Sequence, residues 1–359
     1  MTPTQMLECF DRWRADGQPM TLAVVYDTEG STYSKAGAQM LINGDGDFRG
    51  MLSGGCLEGD LAERARQVIA SGQCQCVTYD LAHDDEELWG LGVGCDGLMR
   101  IFLMPLTADN DYQPFAAIAR ALAGDTDEVA ASVIETNGTR LAVGAGFVTD
   151  GAGLAWQSGA DAAIDSLLPE ALAAREAGLS QRATIRLAGE SASVLFSLLR
   201  PAPRILVLGG GLDAGPVVRF AAELGWRITV QDHRPAYLEK ADFSLAEQVH
   251  CLPPDSLAEK VKLARYSAAI VMSHHLGSDR AYLRQLAATP ISYIGLLGPR
   301  HRRKRLLDEL GAEGHALAGR VHGPAGLDLG GSGPASIALS IVAQMHAHIV
   351  AASRPAIPD

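Results

Sequence analysis

The sequence predicts an α/β protein in which an α+β N-terminal domain precedes a Rossmann-like domain with a doubly wound parallel sheet. Apolar strand-like runs alternate with helical patterns after residue 204, which is typical of a parallel sheet covered by helices. A glycine-rich turn follows the first of these runs. Two prolines in Arg200-Pro-Ala-Pro203 indicate a linker before it. We therefore place the domains at residues 1–200 and 201–359.

The N-terminal region begins with an amphipathic helical pattern over residues 5–17. Apolar and β-branched runs then predict strands at residues 21–26, 37–43, 48–52, 74–80 and 98–104. Helices are predicted from the segment after Ser53 to about Ala70 and over 113–124. Residues 128–199 mix short strands with a helix near 165–177 and carry no recognisable motif, so we group them with the N-terminal domain.

In the C-terminal region, predicted strands alternate with predicted helices. Strands are predicted at residues 205–208, 227–231, 268–272 and 293–296, and helices at 213–224, 278–287 and 335–352. Pro334 stands where the last helix is expected to begin, which suits the fixed φ of proline. This order of elements predicts the doubly wound sheet.

Composition excludes several classes of protein. The chain has 359 residues, 47% of them hydrophobic, and a formal net charge of −12, which is typical of a folded domain and disfavours nucleic acid. The basic run Arg300–Arg305 is interpreted as a solvated helix face, except for Arg300. No run approaches a membrane span, the N-terminus lacks a signal-peptide pattern, and six cysteines are too few for a disulfide scaffold. We expect a cytoplasmic protein that contacts no membrane.

The turn after residue 208 has the spacing G-x-G-x-x-A, formed by Gly209, Gly211 and Ala214. The first glycine permits a tight turn, the second lets the backbone approach a phosphate, and the alanine keeps helix and strand close. Asp232 follows the next strand, where an acid binds a ribose hydroxyl in NAD-dependent proteins. Arg234 leaves NADP open. A Rossmann domain whose nucleotide site is vestigial, or adapted to another phosphate ligand, remains the alternative.

Two cysteines lie in glycine-rich segments. Cys56 follows Gly54 and Gly55 at the predicted start of a helix, where the helix dipole favours a thiolate. Glu58 stabilises the same helix start, and Cys95 lies in a second glycine-rich loop. Two thiols of this kind suit a soft ligand such as a metal, a sulfur atom or a thiol-bearing cofactor. Spacing alone favours the alternative of two small structural thiols beside tight turns.

Two further residues are candidates for binding. His274 follows the predicted strand 268–272, and ligands of doubly wound sheets bind at the carboxyl ends of strands. Arg300 follows Gly298 at the start of a helix and is suited to holding a phosphate group. Each residue also has an interpretation without a ligand. His274 would then be an ordinary loop histidine, and Arg300 an ordinary surface cation.

Together these motifs resemble the XdhC/CoxI family of accessory proteins for xanthine dehydrogenase and related molybdenum hydroxylases. The matching segments span most of the chain except about 105–200. They are Gly30-Ser-Thr, Gly37-Ala-Gln-Met40, Ser53-Gly-Gly-Cys-Leu-Glu58, Gly92-Val-Gly-Cys95, the turn at 209–214, Tyr293-Ile-Gly-Leu-Leu-Gly298 and Val321-His-Gly-Pro-Ala-Gly-Leu-Asp-Leu-Gly330. Two departures are Leu212, where the family often has histidine, and Cys95-Asp96-Gly97, where it often has Cys-Gly-Gly.

The resemblance implies a carrier rather than a turnover enzyme. Such proteins bind the molybdenum cofactor (molybdopterin), protect it, support its sulfuration with a cysteine desulfurase, and deliver it to a xanthine dehydrogenase-type molybdoenzyme. The family's cysteines map onto Cys56 and Cys95, which makes both candidates for contact with molybdenum or sulfur. A homodimer is expected because a carrier shields its cargo and the last predicted helix has an apolar face.

Two other functions remain open from the sequence. An NAD(P)-dependent oxidoreductase would use the C-terminal Rossmann domain for hydride transfer, although no Tyr-x-x-x-Lys or His-Asp catalytic pairing is evident in the sequence. A scaffold that only docks the hydroxylase would need neither cysteine. The residues expected to contact a cofactor are therefore Gly54, Gly55, Cys56, Glu58, Cys95, Gly209, Gly211, Ala214, Asp232, His274 and Arg300.

Overall fold

The computed structural model describes residues 3–80 and 97–353, and it divides into two units, Met1–Pro201 and Ala202–Asp359. The first unit contains two antiparallel sheets and the second a parallel one. The α/β class and the Rossmann-like second part are thus confirmed. Cys95 and its loop lie outside the described residues.

The first sheet of the first unit has the strand order β3-β2-β1-β5-β4. Its strands are β1 (Met20–Gly30), β2 (Gln39–Asn43), β3 (Phe48–Arg49), β4 (Gln75–Asp80) and β5 (Gly97–Leu106). Strand β1 is central and pairs with β5 from Met20 opposite Leu106 to Gly30 opposite Gly97. The predicted strand at 48–52 is shorter than expected, because the chain leaves the sheet after Arg49 to form a turn.

Helices cover both faces of this sheet. They are α1 (Pro3–Ala15), α2 (Glu58–Ser71) and α3 (Phe115–Ala123), with a short 3-10 turn at Ala108–Asn110. Leu61, Ala65 and Val68 recur at helical spacing on α2 and are buried against the sheet. Phe10 and Phe115 pack edge to face on the other side, with ring centroids 4.8 Å apart.

The second sheet of the first unit has the order β8-β7-β6-β10-β9. Its strands are β6 (Glu128–Thr136), β7 (Gly146–Thr149), β8 (Leu154–Ser158), β9 (Gln181–Leu187) and β10 (Glu190–Leu199). The helix predicted near 165–177 is two helices, α4 (Asp161–Asp165) and α5 (Leu168–Ala177). Ile164 and Ala174 pack with Phe147 and Phe196 on one face of the sheet, and Leu195 from the other face joins the core that also holds Phe115.

The second unit is built on six parallel strands in the order β13-β12-β11-β14-β15-β16. They are β11 (Arg204–Leu208), β12 (Arg227–Gln231), β13 (Gln248–His250), β14 (Ala268–Val271), β15 (Tyr293–Leu296) and β16 (Val321–His322). Strands β11 and β14 are neighbours, yet they are followed by connections that lead to opposite halves of the sheet. The order therefore reverses between them, which creates the crevice where ligands of doubly wound folds bind.

Helices flank this sheet on both sides. They are α6 (Ala214–Glu223), α7 (Pro235–Lys240), α8 (Leu257–Lys260), α9 (Leu276–Ala287), α10 (Arg300–Leu310), α11 (Ala312–Leu317) and α12 (Pro334–Ser353), with 3-10 turns at Pro254–Ser256 and Leu263–Arg265. Every residue of β11 and β14 is buried, as expected for strands covered on both faces. Val217 of α6 and Ile341 of α12 share one core, and Leu283 of α9 and Leu306 of α10 share the other.

The last helix, α12, is long and apolar enough to cross a membrane by length and composition. Ala338, Ile341, Val342 and Met345 are buried in the core of the second unit. About 22% of the apolar stretch Pro334–Ala352 is buried, so packing in the core covers one side of this helix.

Candidate functional site

The first candidate site is the segment Ser53–Leu57, here called the cysteine turn, which precedes α2. Gly54 and Gly55 have φ values of 79° and 115°, a left-handed region that favours glycine because it has no Cβ. Helix α2 begins at Glu58, two residues after Cys56. The sequence predicts that Cys56 lies at the start of the helix. In the structure the turn carries the thiol, and the helix begins two residues later.

Glu58 holds the cysteine turn together. Its Oε1 accepts from the backbone N–H groups of Leu52 and Ser53, both at 3.0 Å, and its Oε2 accepts from the N–H of Gly55 at 3.0 Å and from the hydroxyl of Ser53. The side chain is only 2% exposed. Sequence analysis placed Glu58 among the cofactor contacts, but its oxygens are turned inward to the chain. Its role in the structure is to position the turn.

The protonation of Glu58 follows from these contacts. Burial raises the pKa of a carboxyl group, but the hydrogen bonds from Ser53 and Leu52 outweigh it, and the pKa of Glu58 lies below its ordinary value. The carboxylate is thus charged at neutral pH and is stabilised by neutral donors.

Cys56 is a free, partly exposed thiol on this turn. The loop that follows β1 lies beside it, because Ser34 Oγ donates to the carbonyl of Met51 at 3.2 Å. A Cβ at Gly54 would lie 3.4 Å from the ring of Tyr33, which is 61% exposed. The cysteine turn and this loop therefore form one polar surface with an aromatic ring and a thiol. Within residues 3–80 and 97–353, no group of three or more His, Cys, Asp or Glu side chains is arranged to hold a metal.

The second candidate site is the segment Gly209–Asp213, here called the glycine turn, at the carboxyl end of β11. Gly209 has a φ of 129°, and a Cβ there would lie 2.5 Å from the carbonyl carbon of Met272. Ala214 is fully buried at the start of α6. Both observations agree with the tight turn and the close helix packing expected from G-x-G-x-x-A. Gly211 lies in the same turn. The backbone N–H of the preceding residue, Gly210, donates to the carboxylate of Asp232.

Asp232 lies at the end of β12 and is completely buried. Its carboxylate accepts a hydrogen bond from the N–H of Gly210 at 2.8 Å. It also forms a bidentate ion pair with Arg234, at 2.9 Å to Nε and 2.7 Å to Nη2. Burial raises the pKa of Asp232, but these hydrogen bonds outweigh it and the pKa is lowered. The guanidinium carbon of Arg234 lies 3.6 Å from the ring centroid of Tyr237. The predicted contact with a ribose stays a prediction, and the acid already has partners of its own.

His274 reaches the glycine turn across the crevice between β11 and β14. Its Nε2 lies 2.7 Å from Oδ2 of Asp213. His274 has a φ of 59°, an uncommon conformation for a residue with a side chain. The imidazole remains 57% exposed. An aspartate-held imidazole at this place is equipped to bind a polar ligand or to exchange a proton with it.

Arg302 differs from the expectation for the basic run. Its Nη2 donates to Oδ2 of Asp279 at 2.6 Å, and Asp279 is completely buried. Ser273 Oγ donates to the other oxygen of Asp279 at 2.5 Å. The sequence predicted a solvated face for Arg302, which is wrong because α10 turns this side chain toward α9. Arg300 is exposed, and Lys304 and Arg305 form surface pairs with Asp308 and Glu309 as expected.

Sequence reasoning missed Asp213 and Asp279 as partners. Asp213 lies inside the recognised G-x-G-x-x-A turn, so its position was a usable signal. Asp279 lies in the first turn of α9, where acids are common for a helix start, and nothing in its spacing points to Arg302. His275, the neighbour of His274, caps α9 by accepting from the N–H of Ser278.

Two family models match the chain. Residues 13–80, which include the cysteine turn, match the model described as the XdhC and CoxI family, and residues 205–345 match the XdhC Rossmann domain. Together they span more than half of the chain. The chain belongs to the XdhC and CoxI family. The second sheet of the first unit is matched by neither model.

Relatives and a solved structure extend the likeness over the whole chain. A Bacillus subtilis (strain 168) protein, described as a probable subunit of xanthine dehydrogenase, is 29% identical over 335 residues, 92% of this chain and 93% of that protein. "Uncharacterized protein YqeB" of Escherichia coli (strain K12) is 27% identical over 160 residues, 44% of this chain and 29% of that protein. A crystal structure of a xanthine dehydrogenase from Bacillus halodurans superposes with a TM-score of 0.78 and 28% identity, covering 100% of this chain and 98% of that one.

Proposed function

We propose that this XdhC and CoxI family protein is an accessory protein for a xanthine dehydrogenase-type molybdoenzyme. It binds the molybdenum cofactor as cargo, protects it, supports its sulfuration with a cysteine desulfurase, and delivers it to the apo-enzyme. The observation that carries the proposal is the free thiol of Cys56 on a turn that Glu58 holds in place. The names of the Bacillus relatives support the choice of client.

The cysteine turn fits the chemistry of such a cargo. Thiolate sulfur is the protein ligand that suits soft metal–sulfur centres, whereas carboxylates suit hard cations. Glu58, the acid that follows the turn, is buried and accepts hydrogen bonds from the chain, so it does not compete for the cargo. The loop beside it adds the ammonium of exposed Lys35 as a donor to a phosphate. A molybdopterin carrier has two tasks. It must hold the metal or its terminal sulfur, and it must hold the phosphate of the pterin.

The crevice of the second unit is a second place for an anionic part of the cargo. The glycine turn and the start of α6 offer backbone N–H groups, and Arg300 adds a positive charge. Asp213 opposes an anion there, and its contact with His274 occupies one of its carboxylate oxygens. Cargo binding at this crevice is therefore expected to depend on that contact.

An NAD(P)-dependent oxidoreductase is the second candidate, because the strand order and the glycine turn are those of a dinucleotide-binding fold. The pairing of Asp232 with Arg234 disfavours NAD, since both carboxylate oxygens already accept hydrogen bonds. Sustained oxidation of NADPH with an aldehyde, lost on Gly211→Val, would favour this candidate over the carrier.

The deciding experiment is the molybdenum and pterin content of the protein purified without oxygen from cells that make the cofactor. We expect near-stoichiometric amounts in the wild type and their loss in Cys56→Ser. Cys251→Ser is the matched control, because Cys251 is an exposed free thiol that lies in the second unit and not in the cysteine turn. Absence of pterin from the wild type, or equal loss in both variants, would contradict the proposal.

Delivery and sulfuration need a separate measurement. Loaded protein is mixed with molybdenum-free xanthine dehydrogenase, with and without a cysteine desulfurase and cysteine. We expect activity to appear with the wild type, and more of it when the desulfurase is present. Activity that is the same with free cofactor as with loaded protein would remove the delivery role.

A homodimer remains part of the proposal. The outward face of α12 carries Ala335, Leu339 and Ala347, and the whole helix has no Asp, Glu, Lys or Arg. Two copies crossing antiparallel near Ala343 would place Leu339 against the small Ala347 of the other copy. Sedimentation of the wild type as a dimer and of Leu339→Arg as a folded monomer is expected, whereas a monomeric wild type would exclude the dimer.

A further inference from the structure

A cleft in the first unit has no part in the function proposed above. Its volume is about 670 Å³, within the usual range for sites that bind small molecules. It lies between β8 with the loop that follows it and the segment from Met104 to Pro114. Both family models leave most of this part of the chain unmatched. The cleft is therefore a feature of the second sheet and its surroundings.

Small residues keep the cleft open. Ala142, Gly144, Ala145 and Ala160 line it where larger side chains would fill it. Gly144 has a φ of 83°, and a Cβ there would lie 2.9 Å from Sγ of Cys74. Burial raises the pKa of Cys74 to about 11, so this thiol is an uncharged part of the wall and not a nucleophile.

One side of the cleft is an aromatic surface. Trp156 of β8 is half-buried, and its indole packs at the edge of the core that contains Met104. The ring lines the cleft together with Val143, which is 45% exposed. A flat ring bound here gains from stacking beyond the apolar area that it buries.

Two polar side chains of the cleft lack hydrogen-bond partners among the described residues. The guanidinium of Arg140 forms no hydrogen bond or ion pair with those residues. Nearby Glu190 accepts from the backbone N–H groups of Arg140 and Thr139, which lower its pKa, and the charge of Arg140 helps to lower it. The side-chain amide of Gln113 is held at neither end, and its Oε1, an acceptor, is buried without a partner. Among the described residues that line the cleft there is no Asp or Glu. The cleft therefore offers a cation to an anionic group and an acceptor to a donor on the same molecule.

We propose that this cleft binds a planar organic anion, with its ring against Trp156 and its carboxylate or phosphate on the guanidinium of Arg140. The amide of Gln113 turns its donor or acceptor end toward the polar edge of the ring. The inference stands apart from the function proposed for the cysteine turn, since it uses none of the same residues.

The test is calorimetric titration of the full chain with three matched probes. 2-Naphthoate carries a flat ring and a charge, 2-naphthamide has the ring without the charge, and cyclohexanecarboxylate has the charge without the flat ring. We expect 2-naphthoate to bind about tenfold more tightly than either of the others, as expected when ring and charge each contribute.

Two variants assign the binding to the cleft. Arg140→Gln is expected to weaken 2-naphthoate about tenfold and to leave 2-naphthamide unchanged, while Trp156→Leu weakens both ring compounds. The matched control is Arg186→Gln, because Arg186 is an exposed arginine on strand β9 of the same sheet. Circular dichroism verifies that each variant is folded.

Three outcomes would overturn the proposal. One is no binding of 2-naphthoate up to about 10 mM, a concentration above any specific small-molecule affinity of interest. Another is equal binding of all three probes. The third is an equal effect of Arg140→Gln and Arg186→Gln, which would indicate a general attraction of anions to surface arginines.

Discussion

The cysteine turn and the glycine turn are both built around buried carboxylates, but the charges that face those carboxylates differ. Glu58 is surrounded by neutral donors from the backbone and from Ser53. Asp232 is paired with Arg234, and Asp213 with His274. The first unit therefore keeps a net negative charge inside its turn and leaves a thiol outside. The second pairs Asp232 with the cation Arg234, and the contact of Asp213 with His274 brings distant loops together.

The two turns are expected to differ in how many hydrogen bonds they lose when a residue is substituted. A carboxylate held by four neutral donors loses two of them when one of its oxygens is replaced by an amide nitrogen. A carboxylate held by a cation loses one partner and keeps its backbone donor. We expect the effects of substitution to decrease in that order.

Glu58→Gln is expected to have the largest effect. The amide nitrogen would face N–H groups that now lack an acceptor, at about 1–3 kcal/mol for each unsatisfied group, so we expect a loss of about 4 kcal/mol in the free energy of unfolding of the first unit. Hydrogen exchange of the slowest amides in this unit measures it. Glu63→Gln on the exposed face of α2 is the control, and equal effects would refute the role of Glu58.

The pH dependence of the first unit sharpens this prediction. The pKa of Glu58 is lower in the folded chain than in the unfolded chain, where it is about 4.3. Its stabilisation is therefore complete above the unfolded pKa and is lost as pH falls through the folded pKa. The difference in stability between the wild type and Glu58→Gln is expected to shrink as pH is lowered from 6 to about 3. A difference that is independent of pH would show that charge is not involved.

Arg234→Gln is expected to cost about 3 kcal/mol, because it leaves the carboxylate of Asp232 buried with only backbone donors. The pKa of Asp232 should rise, since the guanidinium that helps to lower it is absent. Exchange of the core amides of the second unit and NMR titration of Asp232 measure the two effects. An unchanged pKa would show that the backbone N–H groups of Gly210 and of position 234 are enough to keep this acid charged.

Arg302→Gln is expected to cost less, about 2 kcal/mol, because Asp279 keeps the hydroxyl of Ser273 and lies in the first turn of α9. Arg305→Gln is the matched control on the same helix, with an exposed partner in Glu309. If both variants lose the same stability, Arg302 is no more than a surface residue.

His274→Asn is expected to have the smallest effect on stability, below about 0.5 kcal/mol, because its pair with Asp213 is exposed and asparagine tolerates a positive φ. Its effect on ligand binding at the crevice should be larger than its effect on folding. Thermal unfolding and titration with pyrophosphate separate the two. A loss of stability near that of Arg234→Gln would mean that the contact is structural.

Local sequence patterns are enough to predict the class of the fold and the places of the two turns. The spacing of Gly209, Gly211 and Ala214 after a run of buried residues predicts a strand, a tight turn and a helix, because these are local properties of a few neighbouring residues. The strands β12 and β15 agree with the predicted residues for the same reason. The glycines before Cys56 likewise predict a turn with a thiol.

Which side chains meet depends on the long-range arrangement of the folded chain. Asp213 and His274 are 61 residues apart, and Asp279 and Arg302 are 23 apart. These pairs form because parallel strands bring their carboxyl ends to one edge of the sheet, and that order is a property of the whole unit. The same holds for the second sheet of the first unit, where β6 pairs with β10 across more than fifty residues. A local pattern predicts a strand, but its partner depends on which long-range arrangement buries the most apolar surface.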